Sequence, residues 1–147
     1  MKYNLLNHSS VKMPEKFILA WLKSLEKELL REKVVTKKDL KKDLTVVLIS
    51  SANMRKLNFE FRNKNYATDV LSFTAVEEES LGELALCPQV LKKQAKEHKL
   101  TLEHELGYML IHGVLHLLGY DHEKSKKEAK IMFTLQDRIF DRLLELH

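Results

Sequence analysis

The sequence predicts an α+β fold: a small mixed sheet packed with about five helices, in one domain spanning residues 1–147. Three observations predict it. Runs rich in β-branched and apolar residues at Leu44–Ile49, Val70–Val76 and Leu81–Cys87 read as strands. Segments between and after them repeat their apolar residues at helical spacing. Tyr108–Leu118 is apolar almost all round, the pattern of a helix buried in the middle of a domain. With only four glycines and two prolines the chain has no flexible linker, so no boundary divides it.

Tyr3–Asn7 is a short candidate strand. Pro14 suits a first helical turn, where its missing N–H is not needed. Phe17, Ile18, Trp21, Leu22, Leu25, Leu29 and Leu30 then mark one face of a helix that fades near Arg31. Leu44–Ile49 (LTVVLI) is continuously apolar, as a strand covered on both faces must be. Ser51 is the expected cap of the next helix, with Met54, Leu57 and Phe61 on its inner side. A polar loop, Arg62–Thr68, leads to Val70–Val76, and an acidic turn separates that strand from Leu81–Cys87. Pro88 opens a helix to about Lys99, and Thr101 caps a long one that stops at Gly119, a residue suited to a left-handed C′ position. Ser125 and Glu128 form an S-x-x-E capping box for the last helix, whose inward stripe is Ile131, Leu135, Ile139 and Leu143.

Neither a secretory signal nor a membrane span is visible, which points to the cytoplasm. The single cysteine, Cys87, can form no internal disulfide and reads as a buried apolar residue. The net charge of +4 is compatible with a nucleic-acid partner without requiring one. Much of the excess lies in Lys33–Lys42, a run that reads as a solvated surface.

The chemistry concentrates in His112-Gly113-Val114-Leu115-His116-Leu117-Leu118-Gly119-Tyr120-Asp121-His122. His112 and His116 stand four apart, so both imidazoles leave the same helix face. Gly119 lets the chain reverse and bring His122 round as a third ligand. Three protein ligands leave a fourth position for water, the catalytic pattern of zinc rather than the structural one. The spacing H-x-x-x-H-x-x-G-x-x-H overlaps the metzincin motif, hence a zincin-like expectation for the layered fold. Gly113, however, stands where those proteases carry their glutamate base, which disfavours peptide hydrolysis. It leaves room either for substrate or for close packing of the helix.

HGVLHLLGYDH resembles the signature of the YbeY-type rRNA-maturation endoribonucleases over its full length. Leu57-Asn58, Arg62, Lys64 and Thr68-Asp69-Val70-Leu71-Ser72-Phe73 are similar to a second block of that family, and Leu81–Cys87 to a third, in the same order. Asn65, Ala67 and Glu83 depart from the pattern, where the family has Asp, Pro and Asp. The resemblance implies one zinc ion per chain held by His112, His116 and His122. It implies Arg62 as the cation of the active-site cleft, counted with His112 as catalytic; a guanidinium suits the role because it stays charged and grips phosphate with two donors.

The implied activity is zinc-dependent cleavage of single-stranded RNA in rRNA processing, at the 3′ end of 16S rRNA, and in ribosome quality control. The implied partners are single-stranded RNA and the small ribosomal subunit, with no membrane and no DNA. Direct hydrolysis and attack by the ribose 2′-OH both stay open. Two other classes compete: a zinc protease or amidase, and a non-catalytic ribosome-binding factor stapled by zinc. Asp69, Asp121 and Lys64 have local alternatives: loop support for Asp69, a turn cap or a histidine-orienting role for Asp121, and phosphate contact or solvation for Lys64. His8, His98, His104 and His147 fall outside the motif spacing and read as surface or packing residues.

Overall fold

A computed structural model describes residues 1–147. Its strands are β1 (Lys2–His8), β2 (Asp43–Ile49), β3 (Val70–Thr74) and β4 (Ser80–Leu86). Its helices are α1 (Glu15–Arg31), α2 (Ser51–Arg62), α3 (Pro88–His98), α4 (Leu102–Leu117) and α5 (Lys126–Leu146), with a 3-10 turn at Asp39–Lys41. The strands form one mixed sheet in the order β1-β2-β4-β3. β1, β2 and β4 run parallel, and β3 closes the edge antiparallel to β4. The α+β architecture is therefore as expected. No helix is long and apolar enough to cross a membrane.

β2 explains its own composition. Leu44, Val46 and Leu48 point into the main core with α1, α4 and α5, while Val47 and Ile49 join Met54, Leu71, Ala85 and Cys87 on the opposite face. Both faces are dry, so polar alternation has no place in this strand. Cys87 is a buried free thiol there, packed as a small apolar residue.

α4 runs through the centre and approaches its neighbours closely. A Cβ at Gly107 would meet the Trp21 indole at 2.5 Å, and one at Gly113 would meet Leu84 of β4 at 2.7 Å. Gly113 therefore serves helix–sheet packing and opens no space for substrate. The Trp21 Nε1–H donates to the Gly107 carbonyl at 2.9 Å, which locks α1 onto α4. Gly119 follows the helix at φ +102°, and the Tyr120 N–H returns to the Leu115 carbonyl at 3.0 Å. The expected helix stop is thus realised as a glycine-dependent reversal.

Five local expectations need correction. The cap of α2 is Ser50, whose Oγ accepts from the Asn53 N–H at 3.2 Å; Ser51 is the first helical residue. Adjacent serines are equivalent by type, and the extended backbone of Ser50 decides between them. Phe61 is 60% exposed rather than inward, because the side of α2 facing the sheet is occupied by Met54 and the buried Asn58. Ile131 faces solvent, and the inward stripe of α5 is Met132, Leu135, Gln136, Ile139, Phe140 and Leu143. Leu30 is also exposed, at the far end of α1. β3 stops at Thr74, leaving Val76 in the turn.

Candidate metal centre

α4 presents His112 and His116 on one face, and the Gly119 reversal carries His122 back against them. One ring nitrogen from each of the three lies within 4.8 Å of the others. The ring centroids are 4.7 Å apart for His112–His116, 5.0 Å for His112–His122 and 4.9 Å for His116–His122. His116 Nε2 and His122 Nδ1 face each other at 3.0 Å. A tetrahedral zinc with bonds of about 2.0–2.1 Å spaces its nitrogens roughly 3.3 Å apart, so a small adjustment admits the ion. No thiolate or carboxylate belongs to the cluster, and three imidazoles are a donor set suited to zinc.

Two features prepare these rings. Burial pushes the pKa of His112 below the usual histidine value, and the adjacent His116 and His122 push it further. Burial and then His122 do the same to His116. Both are therefore neutral near pH 7, the form that offers a lone pair to a metal. The second feature is Gln136 on α5, fully buried, whose Oε1 stands 2.9 Å from His112 Nδ1. An amide oxygen only accepts, so Nδ1 carries the hydrogen and Nε2 is left free for the ion. Gln136 was not among the residues expected from sequence. Its signal was present, as a glutamine within the apolar stripe of the last helix.

The histidines sit in a cleft of about 780 Å³ running along the free edge of β3. At one end Arg62 and Lys64 line it, and the Arg62 Nη2 pairs with Glu123 Oε1 at 2.8 Å. Arg62 is therefore brought to the histidines through a glutamate on the His122 loop. Exposed ion pairs of this kind are weak, so an anion in the cleft can displace Glu123. Asp121 caps the turn, accepting the Glu123 N–H at 2.8 Å, a bond that holds its carboxyl below the usual range. Asp69 supports its loop: Oδ1 takes the Val70 N–H at 2.7 Å and Oδ2 the Gln94 amide at 3.2 Å. Phe133 from α5 covers the rings of His112 and His122 at 6.0 and 5.5 Å.

At the other end the cleft holds a carboxylate that the motif did not reveal. Glu105 is fully buried, binds His98 through Oε1 and lies two turns before His112 on the same face of α4. His98 thus lines the cleft wall rather than free surface. His104 and His147 pack against Phe17 and Trp21, as expected of packing residues, and His8 is exposed at the end of β1. Glu83 points to solvent from β4, away from the cleft. None of Lys33–Lys42 reaches the cleft.

A mixed sheet whose antiparallel edge strand borders a cleft with three converging histidines fits the class of metal-binding hydrolases. The comparisons with known proteins give the family. The model of endoribonuclease YbeY matches residues 4–144. An endoribonuclease YbeY from Bdellovibrio bacteriovorus is 52% identical over 145 residues, covering 99% of this chain and 97% of that protein. Another, from a Sulfurihydrogenibium species, is 42% identical and covers 76% and 78% of the two chains. A solution structure of a Thermotoga maritima protein superposes with a TM-score of 0.65 at 32% identity, over 96% of this chain and 88% of that one. The chain belongs to the endoribonuclease YbeY family.

Proposed function

We propose that residues 1–147 act as one zinc-dependent endoribonuclease domain that cleaves single-stranded RNA in rRNA processing. The setting we infer is 3′-end maturation of 16S rRNA and ribosome quality control in the cytoplasm, with the small ribosomal subunit as partner. The observation that carries this reading is the convergence of three imidazoles, with no carboxylate in the cluster, in a cleft lined by an arginine. Family membership adds that the relatives are named endoribonucleases.

Zinc held there would supply Lewis acidity toward a phosphoryl oxygen or a water. His112, His116 and His122 hold the ion, and Gln136 keeps His112 in the tautomer that can do so. Arg62 exchanges Glu123 for the scissile phosphate and neutralises the charge that grows on it. The position at which metzincins carry their glutamate base is here a glycine facing Leu84, so no base comes from that turn of the helix.

RNA cleavage by metal-loaded protein, beside chelator-stripped protein and His116→Ala, tests the proposal. Loss of cleavage in both controls is expected, and equal cleavage by stripped protein would refute it. Arg62→Ala should keep its zinc and lose turnover by about 10²–10³-fold. Full activity in that variant would remove Arg62 from the mechanism. A 2′,3′-cyclic phosphate on the product would identify the ribose hydroxyl as nucleophile.

The free edge of β3 favours one competitor, because unpaired backbone groups beside a metal site can also bind an extended peptide. Peptide cleavage by the zinc-loaded protein, with no action on RNA, would establish the amidase reading instead. A ribosome-binding factor without catalysis would lose folding in His116→Ala and nothing in Arg62→Ala.

A further inference from the structure

Three aromatic side chains gather at the cation-lined end of the cleft with no role in the chemistry above. Phe61 is 60% exposed and Tyr66 50% exposed, yet both line the cleft, beside Arg62 and Lys64. Phe73 of β3 meets Phe61 edge-on, with centroids 5.1 Å apart and planes at 70°. That contact fixes the orientation of Phe61 and leaves most of its ring to solvent.

Tyr66 is held with equal care. The fully buried Asn58 donates from Nδ2 to the Tyr66 carbonyl at 2.9 Å, and Arg55 Nε donates to the neighbouring Asn65 Oδ1 at 2.8 Å. A left-handed Asn63 ends α2 and turns the chain toward this loop. These bonds fix the backbone at Tyr66 and leave its ring half exposed along the cleft. Scattered exposed apolar residues need no explanation, but two exposed rings lining one cleft do.

Charge does not explain how RNA would be held here. Asp69, Glu105, Asp121 and Glu123 outnumber Arg62 and Lys64 along the cleft, so the lining does not attract a polyanion until a metal is bound. Stacking does not depend on that balance, because every nucleobase has a π-face.

We propose that Phe61 and Tyr66 form a nucleobase-stacking subsite that seats unpaired bases of single-stranded RNA beside the metal centre. The inference rests on the endoribonuclease reading. A paired duplex keeps its bases stacked on each other and offers these rings no free face, so the subsite selects single strands.

The test uses the full, zinc-loaded chain and a defined single-stranded RNA oligonucleotide. Phe61→Ala and Tyr66→Ala should each raise KM about tenfold, with kcat and zinc content unchanged. Phe61→Tyr and Tyr66→Phe should restore it. Phe59 is the matched control: it is 54% exposed on the same helix but outside the cleft, and Phe59→Ala should behave as wild type. The alanine losses should be similar at low and high salt, whereas the loss in Lys64→Ala should fade as salt rises. Binding is read independently of cleavage with Tyr66→Trp in the zinc-loaded Arg62→Ala background. The only native tryptophan, Trp21, is fully buried, so quenching by RNA reports the subsite. If the wild type cleaves RNA and the alanine variants match Phe59→Ala, the subsite is wrong while the endoribonuclease stands; rings that serve a protein surface would give this result. If wild-type protein neither binds nor cleaves RNA, both fall together.

Discussion

The His112 ring has one hydrogen-bond partner in the protein, the Gln136 amide oxygen, and that bond decides which nitrogen keeps a lone pair. Gln136 lies on a different helix from the histidines, so α5 contributes to the metal centre without supplying a ligand. Gln136→Leu should weaken zinc binding by about 10–100-fold, measured by competition with a chromophoric chelator. Gln136→Glu keeps an acceptor and should retain most of the affinity, and the Nδ1–H tautomer of His112 should persist in long-range ¹H–¹⁵N spectra. Equal affinity in the leucine variant would show that packing alone holds the ring. Legibility at this scale was uneven. His112, His116 and His122 could be read because helical spacing and one glycine define their geometry. Gln136 left a signal as a polar residue in an apolar stripe, but its partner could not be read, because only the packing of α5 against α4 brings it to His112. Glu105 shares the histidine face of α4, and only the packing of α3 supplies its His98 partner.

Among the elements, α4 is held by close approach and α1 is tied to α5 by charge. Gly107→Ala forces a methyl into the rigid Trp21 indole, so denaturant unfolding should show a loss of about 1–3 kcal/mol despite alanine's better helix propensity. Gly113→Ala should cost less, since the Leu84 side chain that it meets can rotate. At the α1–α5 seam, Arg138 makes a forked contact with Glu32 at 3.0–3.2 Å, and Arg142 reaches Glu28 at 2.9 Å. The Arg138 contact first, with Arg142 adding to it, holds the Glu32 carboxyl below its ordinary range. A folded-state pKa that is depressed contributes stability above the unfolded value of about 4.3 and loses it as pH falls through the folded value. Urea midpoints measured from pH 7 downward should therefore converge for wild type and Glu32→Gln in acid and differ above about pH 5. A constant difference at every pH would mean that the carboxylate charge contributes nothing.

For the whole molecule, the metal centre lies at the edge of the core rather than inside it. A cluster of 27 buried hydrophobic residues joins α1, α4, α5 and the sheet, and the three histidines line the cleft beside it, His116 and His122 only half-buried. Chelator-stripped protein should thus keep its helical circular dichroism and unfold cooperatively, but at a lower Tm. Zinc at a thousand times its Kd should add about 4 kcal/mol. Unfolding of the whole chain on chelation would mean that the ion is structural and would favour the non-catalytic reading.

The sequence by itself determined the α+β class, the order of the major elements, the three converging histidines and the family resemblance. Each depends on local periodicity or a fixed spacing, which a single chain displays directly. Tertiary structure decided which residues surround those histidines. It turned Gly113 toward Leu84, brought Arg62 to the His122 loop through Glu123, placed Gln136 behind His112, and left Phe61 and Tyr66 exposed along the cleft. Those contacts join residues up to 61 positions apart in the chain. They arise from how helices pack on the sheet, and helix packing leaves no fixed spacing in a sequence.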